Sequence, residues 1–147
     1  MKTINVTEIE RNYANWGNHA EQCLCYTLTG EIHPHDHVAF DKGSDIETMG
    51  GISVKSSGFT LASAKVNHGE TFDEKLDDYK TRVHSTVFAY VSLELVAYMM
   101  NLSEFEDFIR NFCYFNREST RNGGGWKIKC RKESKKMLRW LDARVTA

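Results

Sequence analysis

Proline and cysteine are scarce in this sequence of 147 residues, and each scarcity excludes a class of protein. The single proline, Pro34, excludes a proline-rich linker between domains. The sequence contains no C-x-x-C pair, so it predicts neither a zinc knuckle nor a thioredoxin motif. Reduced thiols in a cytoplasmic protein are therefore expected at the four cysteines, which are Cys23, Cys25, Cys113 and Cys130.

Long hydrophobic runs are also lacking. The longest run, 87–100, is interrupted by Ser92 and Glu94 and falls short of the roughly 20 apolar residues that a transmembrane helix needs. Residues 1–5 lead into no apolar segment, so no secretory signal is expected. We therefore expect a cytoplasmic protein with no membrane partner.

Aromatic residues are plentiful by contrast. The chain contains 8 Phe, 6 Tyr and 3 Trp, and 41% of its residues are hydrophobic, which is enough to build a buried core and makes disorder improbable on composition. A chain of this length typically forms one domain. The sequence thus predicts a single domain over residues 1–147.

The net charge of −1 hides an uneven distribution along the chain. Residues 126–147 hold eight basic and two acidic side chains, for a net charge of +6, so the remainder carries −7. Such a split indicates a polyanionic partner for the C-terminal end, although a solvated helix face has the same composition. We interpret about 126–147 as a basic, helical C-terminal extension of the domain.

Hydrophobic periodicity predicts an α+β or mixed α/β domain with the element order α-β-β-β-α-β-α-β-α. Helices are predicted at 7–28, 71–84, from Ser103 onward, and at 134–145. Strands are predicted at 38–40, 45–48, 52–55, 86–93 and 126–130. The two runs 45–48 and 52–55 are separated by Met49-Gly50-Gly51, which is a hairpin signal.

The register of this hairpin decides which side chains share a face. A two-residue loop, Gly50-Gly51, would place the acidic side chains on the face of the hairpin away from Lys55, whereas a three-residue loop, 49–51, places them on the same face as Lys55. The hydrophobic pattern selects the three-residue loop, because a slip of one residue would bury the charges. In that register one face holds Ile46, Thr48, Ile52 and Val54, and the other holds Asp45, Glu47, Ser53 and Lys55.

Two carboxylates and an ammonium group on one patch suit metal-assisted phosphodiester hydrolysis. Asp45 and Glu47 can hold Mg²⁺, with Mn²⁺ as a substitute, because these cations prefer oxygen ligands. Lys55 can orient an attacking water or offset developing negative charge. Glu21, on the first predicted helix, can supply a further oxygen.

The spacing of Asp45, nine residues and Lys55, within the run 52–57, resembles the core of the PD-(D/E)XK superfamily of restriction-like nucleases. That family's pattern is an acid that opens one strand and an acid-x-lysine triplet on the next strand. The resemblance implies a restriction-endonuclease-like αβββαβ core, followed here by additional C-terminal helices and a short strand. It covers roughly residues 10–95.

The resemblance also implies a function: a Mg²⁺-dependent DNA endonuclease, restriction-like or junction-resolving, with a role such as defence against phages or mobile elements. Asp45, Glu47 and Glu21 would bind the metal, and Lys55 would complete the catalytic set. Because one active site cuts one strand, cleavage of both strands implies a homodimer or two visits.

The sequence departs from the family pattern at two positions. Ser44 stands where a proline is common, and Ser53 stands where the second acid is expected. Either the acid has migrated to Glu47, or the site is degenerate and the fold serves as a DNA-binding or protein-binding accessory or inhibitor. Metal binding through Asp45 would distinguish the two.

A further set of polar and basic side chains is predicted to contact the phosphate backbone of DNA, which would make binding sensitive to salt. These are Ser56, Ser57, Thr60 and Lys65, which follow the catalytic strand, and Lys127, Lys129, Arg131, Lys132, Lys135 and Lys136 near the C-terminus.

Overall fold

The computed structural model describes residues 1–32, 45–61, 71–116 and 127–146, and these residues form a mixed α/β structure. The helices are α1 (Trp16–Thr29), α2 (Phe72–Arg82), α3 (Leu102–Phe112) and α4 (Lys135–Asp142). The strands are β1 (Lys2–Asn5), β2 (Ile52–Lys55), β3 (Val87–Val91), β4 (Val96–Met100), β5 (Cys113–Asn116) and β6 (Lys127–Cys130). The predicted strand 38–40 lies outside the described residues.

Four strands form the main sheet, in the order β1-β4-β3-β2. Strands β2 and β3 are parallel, with Ile52 opposite Val87, and α2 lies in the crossover that a parallel pair requires. The other neighbours in this sheet are antiparallel. Strands β5 and β6 form a second, two-stranded sheet, to which Thr60 adds a bridge at Lys129.

The two faces of the main sheet are packed very differently, because successive side chains of a strand point to opposite sides. On one face Ala89 and Val91 meet the small side chains Ala20 and Cys23 of α1. The opposite face is aromatic, and its buried cluster includes Phe88, Tyr90, Phe105, Phe108, Met137 and Leu141. The sheet therefore lies between α1 and the remaining helices.

All four predicted helices are confirmed, but two of their predicted starts are wrong. The first helix begins at Trp16 rather than at residue 7, because the Asn15 side chain accepts from the Asn18 N–H and caps it there. The third begins at Leu102 rather than at Ser103, because a capping box between Asn101 and Glu104 starts the helix earlier. The last helix begins at Lys135, close to its predicted start at 134, and the Ser134 side chain caps it.

Strands β1, β4 and β5 were not predicted. Strand β4 follows β3 after a tight turn in which the Ser92 N–H donates to the Val96 carbonyl and Leu95 adopts a positive φ of 61°. The predicted strand 86–93 is therefore confirmed as β3, and β4 pairs with it in an antiparallel hairpin.

The basic C-terminal segment packs into the main core. Met137 and Leu141 of α4 are fully buried in the aromatic cluster, and the Thr146 N–H donates to the Met1 carbonyl at 2.9 Å. Its basic side chains are therefore carried on an element that is firmly attached to the sheet.

Candidate functional site

The predicted three-residue hairpin is wrong. Ile46 pairs with Ile52 in an isolated bridge that encloses five residues, and Thr48–Gly50 forms a 3₁₀ turn in between. The turn is held by Thr86, whose Oγ1 donates to the Gly50 carbonyl at 2.9 Å and whose N–H donates to the Gly51 carbonyl at 3.0 Å. These contacts from outside the hairpin lengthen its loop.

Gly50 is required at this turn for two reasons. Its φ is +77°, in the left-handed region that favours glycine. A Cβ at this position would also lie 2.6 Å from Thr86 Oγ1. The turn and the start of β3 therefore fit together only without a side chain here.

The longer loop is still odd in length, so the predicted division into two faces is kept for most residues. Ile46 and Ile52 join the cluster beneath α1, with Val54 packed against it. Ser53 lies on the other face of β2, which follows from the alternation along the strand. Thr48 is the exception: it is exposed in the turn rather than buried.

Asp45 is attached firmly to the edge of β2. Its Oδ2 accepts a hydrogen bond from the Val54 N–H at 2.7 Å, and its own N–H donates to the Ile52 carbonyl at 2.8 Å. The carboxylate thus occupies the place that a carbonyl of a neighbouring strand would take. Extending the observed pairing places Asp45 opposite Ser53, not opposite Lys55.

Glu21 of α1 meets Asp45 across this edge. Burial raises the pKa of Glu21 to about 9, and the charge of Asp45 and a hydrogen bond with it act in the same direction, while Lys55 lowers this pKa. Glu21 therefore holds a proton at neutral pH. A carboxylic acid and a carboxylate that share a proton are a site at which a cation can take the proton's place.

Lys55 completes the group. Burial lowers the pKa of Lys55, while the charges of Asp45 and then Glu21 raise it. Its Nζ lies 6.0 Å from the centre of the Phe59 ring. The structure therefore brings together Glu21, Asp45 and Lys55, three of the four side chains that the sequence predicted for the catalytic set.

The fourth, Glu47, is not brought into this group. It is exposed and stands immediately before the 3₁₀ turn, and the observed pairing places Asp45 rather than Glu47 opposite Ser53. The prediction that Glu47 lies opposite Ser53 and supplies the second acid there is therefore wrong in its geometry. The reason is the five-residue loop, which carries Glu47 out of the pairing.

Two carboxyl groups remain for a cation. Within residues 1–32, 45–61, 71–116 and 127–146, no cluster of three or more His, Cys, Asp or Glu side chains is arranged to hold a metal ion. Mg²⁺ is commonly held by one or two carboxylates together with waters and substrate phosphates. The oxygen donors of Glu21 and Asp45 fit this requirement.

Tyr79 is a neighbour of the site that the sequence pattern does not reveal. It lies on α2, and burial raises its pKa to about 12 while the Ser53 side chain lowers it and the charge of Asp45 raises it. Its helical spacing with Leu76 and Val83 predicts a place on the buried face of the helix, which is typical of a core residue. The β-α-β order could have revealed it, since the crossover helix packs over its own strands.

The residues that follow β2 connect the site to the basic segment. The Ser57 Oγ accepts from the Glu133 N–H at 2.8 Å, and Thr60 bridges to Lys129. The Lys132 side chain passes 3.8 Å from the position of a Cβ on Gly58. Ser56 is buried against Gly17 of α1, which explains the glycine within that helix.

The predicted phosphate contacts are therefore divided. Ser56 is buried and Lys65 lies outside the described residues, whereas Thr60 is exposed and Ser57 is half-buried. Lys129 is half-buried. The exposed basic side chains of this surface are Lys127, Arg131, Lys132, Lys135 and Lys136.

Comparisons with known proteins add no assignment. No protein-family model matches the chain, and neither the curated proteins nor the solved structures contain a match. Within the part of the chain that the structure describes, no helix has the length and apolar character needed to cross a membrane. The resemblance to restriction-like nucleases stays a prediction.

Proposed function

We propose that this chain is a metal-dependent endonuclease that hydrolyses phosphodiester bonds in DNA, built on a restriction-like αβββαβ core. The observation that supports the proposal is the convergence of Glu21, Asp45 and Lys55. They come from a helix, a turn and a strand that are separated in the sequence, and each influences the pKa of another.

Each residue has a distinct role in this proposal. Asp45 and Glu21 would hold Mg²⁺ or Mn²⁺, with Glu21 in its deprotonated form. The bound cation supplies Lewis-acid polarisation of the phosphoryl oxygen. Lys55 orients the attacking water and offsets the negative charge that develops at the phosphorus centre.

The basic surface supplies affinity for the substrate. Lys132 lies beside the loop that follows Lys55, so a strand bound at the site continues onto the neighbouring basic side chains. Such contacts position a nucleic acid without reading its sequence. A homodimer would present two such sites for cleavage of both strands.

The test is nicking of supercoiled plasmid and cleavage of branched and single-stranded DNA in Mg²⁺ or Mn²⁺, beside an EDTA control. We expect Asp45→Asn and Lys55→Ala to abolish cleavage. Lys2→Ala is the matched control, because exposed Lys2 lies on β1, at the opposite end of the strand order from β2. Equal activity in all four proteins would contradict the proposal.

A second candidate is a degenerate nuclease fold that acts as a DNA-binding or protein-binding accessory or inhibitor. The observation that favours it is the position of Glu47, which leaves two carboxyl groups at the site, with buried Ser53 in place of a third. Absence of cleavage and of Mn²⁺ binding, together with a gel shift at low salt, would support this candidate over the enzyme.

A further inference from the structure

Tyr79 differs from the other buried tyrosines because its hydroxyl makes no hydrogen bond of regular geometry. Its side chain is 7% exposed, and its Oη has no hydrogen-bond partner among the residues that the structure describes. A buried hydroxyl without a partner destabilises the folded state. By contrast, Tyr90 donates to Glu133 and Tyr98 donates to Asp142.

The direction of this hydroxyl follows from its surroundings. The Tyr79 ring packs against Phe105, with 6.3 Å between ring centres, so the aromatic core holds it from behind. Ser53 and the Asp45 charge act on the hydroxyl, but neither meets it in standard hydrogen-bond geometry. The phenol therefore lies beside Ser53 of β2 and within reach of the Asp45 charge, without a regular hydrogen bond to either residue.

The chemistry of the missing partner is that of an acceptor. With a pKa of about 12 the phenol keeps its proton at neutral pH and can donate it in a hydrogen bond. Asp45 is already engaged by the Val54 N–H. A group that enters beside Asp45 and carries acceptor oxygens without protons, such as a phosphodiester, satisfies the Tyr79 hydroxyl.

We propose that Tyr79 is a further catalytic residue, whose hydroxyl donates a hydrogen bond to a non-bridging oxygen of the phosphodiester bound beside Asp45. The inference rests on the proposed nuclease function. It explains why an unsatisfied hydroxyl is present in the core: the group is paired only when substrate is bound.

The test compares Tyr79→Phe with Tyr98→Phe, since each removes one buried hydroxyl and keeps the ring. We expect Tyr79→Phe to melt at or above the wild-type Tm, because no hydrogen bond is lost. We also expect this variant to lower kcat/KM for plasmid nicking by about tenfold or more. Its Mn²⁺ affinity, measured by electron paramagnetic resonance, should equal that of the wild type. Tyr98→Phe should melt at a lower temperature and nick at the wild-type rate.

Three results would overturn the inference while leaving the nuclease intact. The first is nicking by Tyr79→Phe at the wild-type rate, which would mean that the hydroxyl holds only a buried water. The second is a lowered Tm in this variant, and the third is a loss of its Mn²⁺ affinity. Wild-type protein that cuts no DNA form in either metal would instead contradict the proposed function itself, and this inference with it.

Discussion

Two regions of this molecule treat buried polar groups in opposite ways. The first is the base, formed by β3, β4, α3 and α4, where hydroxyls and carboxylates are paired. The Tyr98 hydroxyl donates to Asp142 at 2.6 Å, and Asn101 and Glu104 cap α3 reciprocally. The second is the β2 edge, formed by Glu21, Asp45, Ser53, Lys55 and Tyr79, where charges and hydroxyls are crowded or unpaired.

The unpaired buried polar atoms are concentrated on two helices. Among the described residues, the buried side-chain atoms without a hydrogen-bond partner are on Trp16, Gln22 and Tyr79, which belong to α1 and α2. At the β2 edge burial raises the pKa of Glu21 and lowers that of Lys55, so each charged form is disfavoured. Proteins keep such costs chiefly where a ligand or a reaction relieves them. The base therefore stabilises the fold, and the β2 edge is the candidate functional region.

The largest expected effect on stability is in the base. Phe105 is fully buried and stacks on Phe88 with 4.7 Å between ring centres. We expect Phe105→Ala to lower the free energy of unfolding by about 3–5 kcal/mol, because the lost contacts leave a cavity. Urea denaturation followed by circular dichroism measures this change. A loss below about 1 kcal/mol would mean that the base is not the stabilising region.

A smaller loss is expected when a polar pair in the base is broken. The Glu133 Oε1 accepts from the Tyr90 hydroxyl at 2.9 Å and from the Leu93 N–H at 3.2 Å. Glu133→Ala should cost about 1–3 kcal/mol, since both donors lose their acceptor. Thermal melting would show it, and Glu133→Gln, which keeps an acceptor oxygen, should fall between this variant and the wild type.

The matched change at the β2 edge should act in the opposite direction. The pKa of Glu21 is raised in the fold from 4.5 to about 9, so its contribution is favourable below pH 4.5 and is lost as the pH rises toward 9. Glu21→Gln keeps a neutral side chain at every pH. Its free energy of unfolding should therefore rise relative to that of the wild type by about 1 kcal/mol per pH unit within that window. Chemical denaturation at pH 5, 7 and 8.5 measures the gain; a constant difference would contradict the assigned pKa.

The smallest effect is expected on the surface. Arg110 pairs with Asp73 at 2.7 Å and with Glu106 at 3.4 Å, but it is exposed to solvent. Exposed ion pairs contribute little, so Arg110→Ala should change the free energy of unfolding by less than about 1 kcal/mol, and less in high salt. A larger loss in the same urea experiment would show that the surface of α3 also stabilises the base.

The helices could be predicted because their signals are local. Thr71 and Ser134 cap α2 and α4, and the side chains that each helix buries recur at helical spacing. The alternation in β2 was equally readable, so Ile52 and Lys55 were assigned to the correct faces. Asp45, Lys55 and Glu21 were predicted as a group, and the structure brings them together.

The errors have a common physical cause. Residues 45–55 alone predict a three-residue loop. Thr86 and Val87, which lie far along the chain, donate hydrogen bonds to the carbonyls of Gly50 and Gly51 and so lengthen this loop. That removed Glu47 from the site. The sequence does not predict β1 and β4, because these strands pair with each other across most of the length of the chain. It does not predict the role of Tyr79, because only the folded chain brings this residue of α2 next to Ser53 of β2.

The sequence by itself determined the mixed α/β class, the extents of α2 and α4, the two faces of β2 and the basic character of the C-terminal segment. Each of these depends on residues within a few positions of one another, through capping, periodicity and charge. Only the tertiary structure decided which carboxyl groups meet, that burial raises the pKa of Glu21, and that the charge of Asp45 acts on the Tyr79 hydroxyl. Those properties arise from burial and from contacts between distant segments, and no local pattern of side chains encodes them.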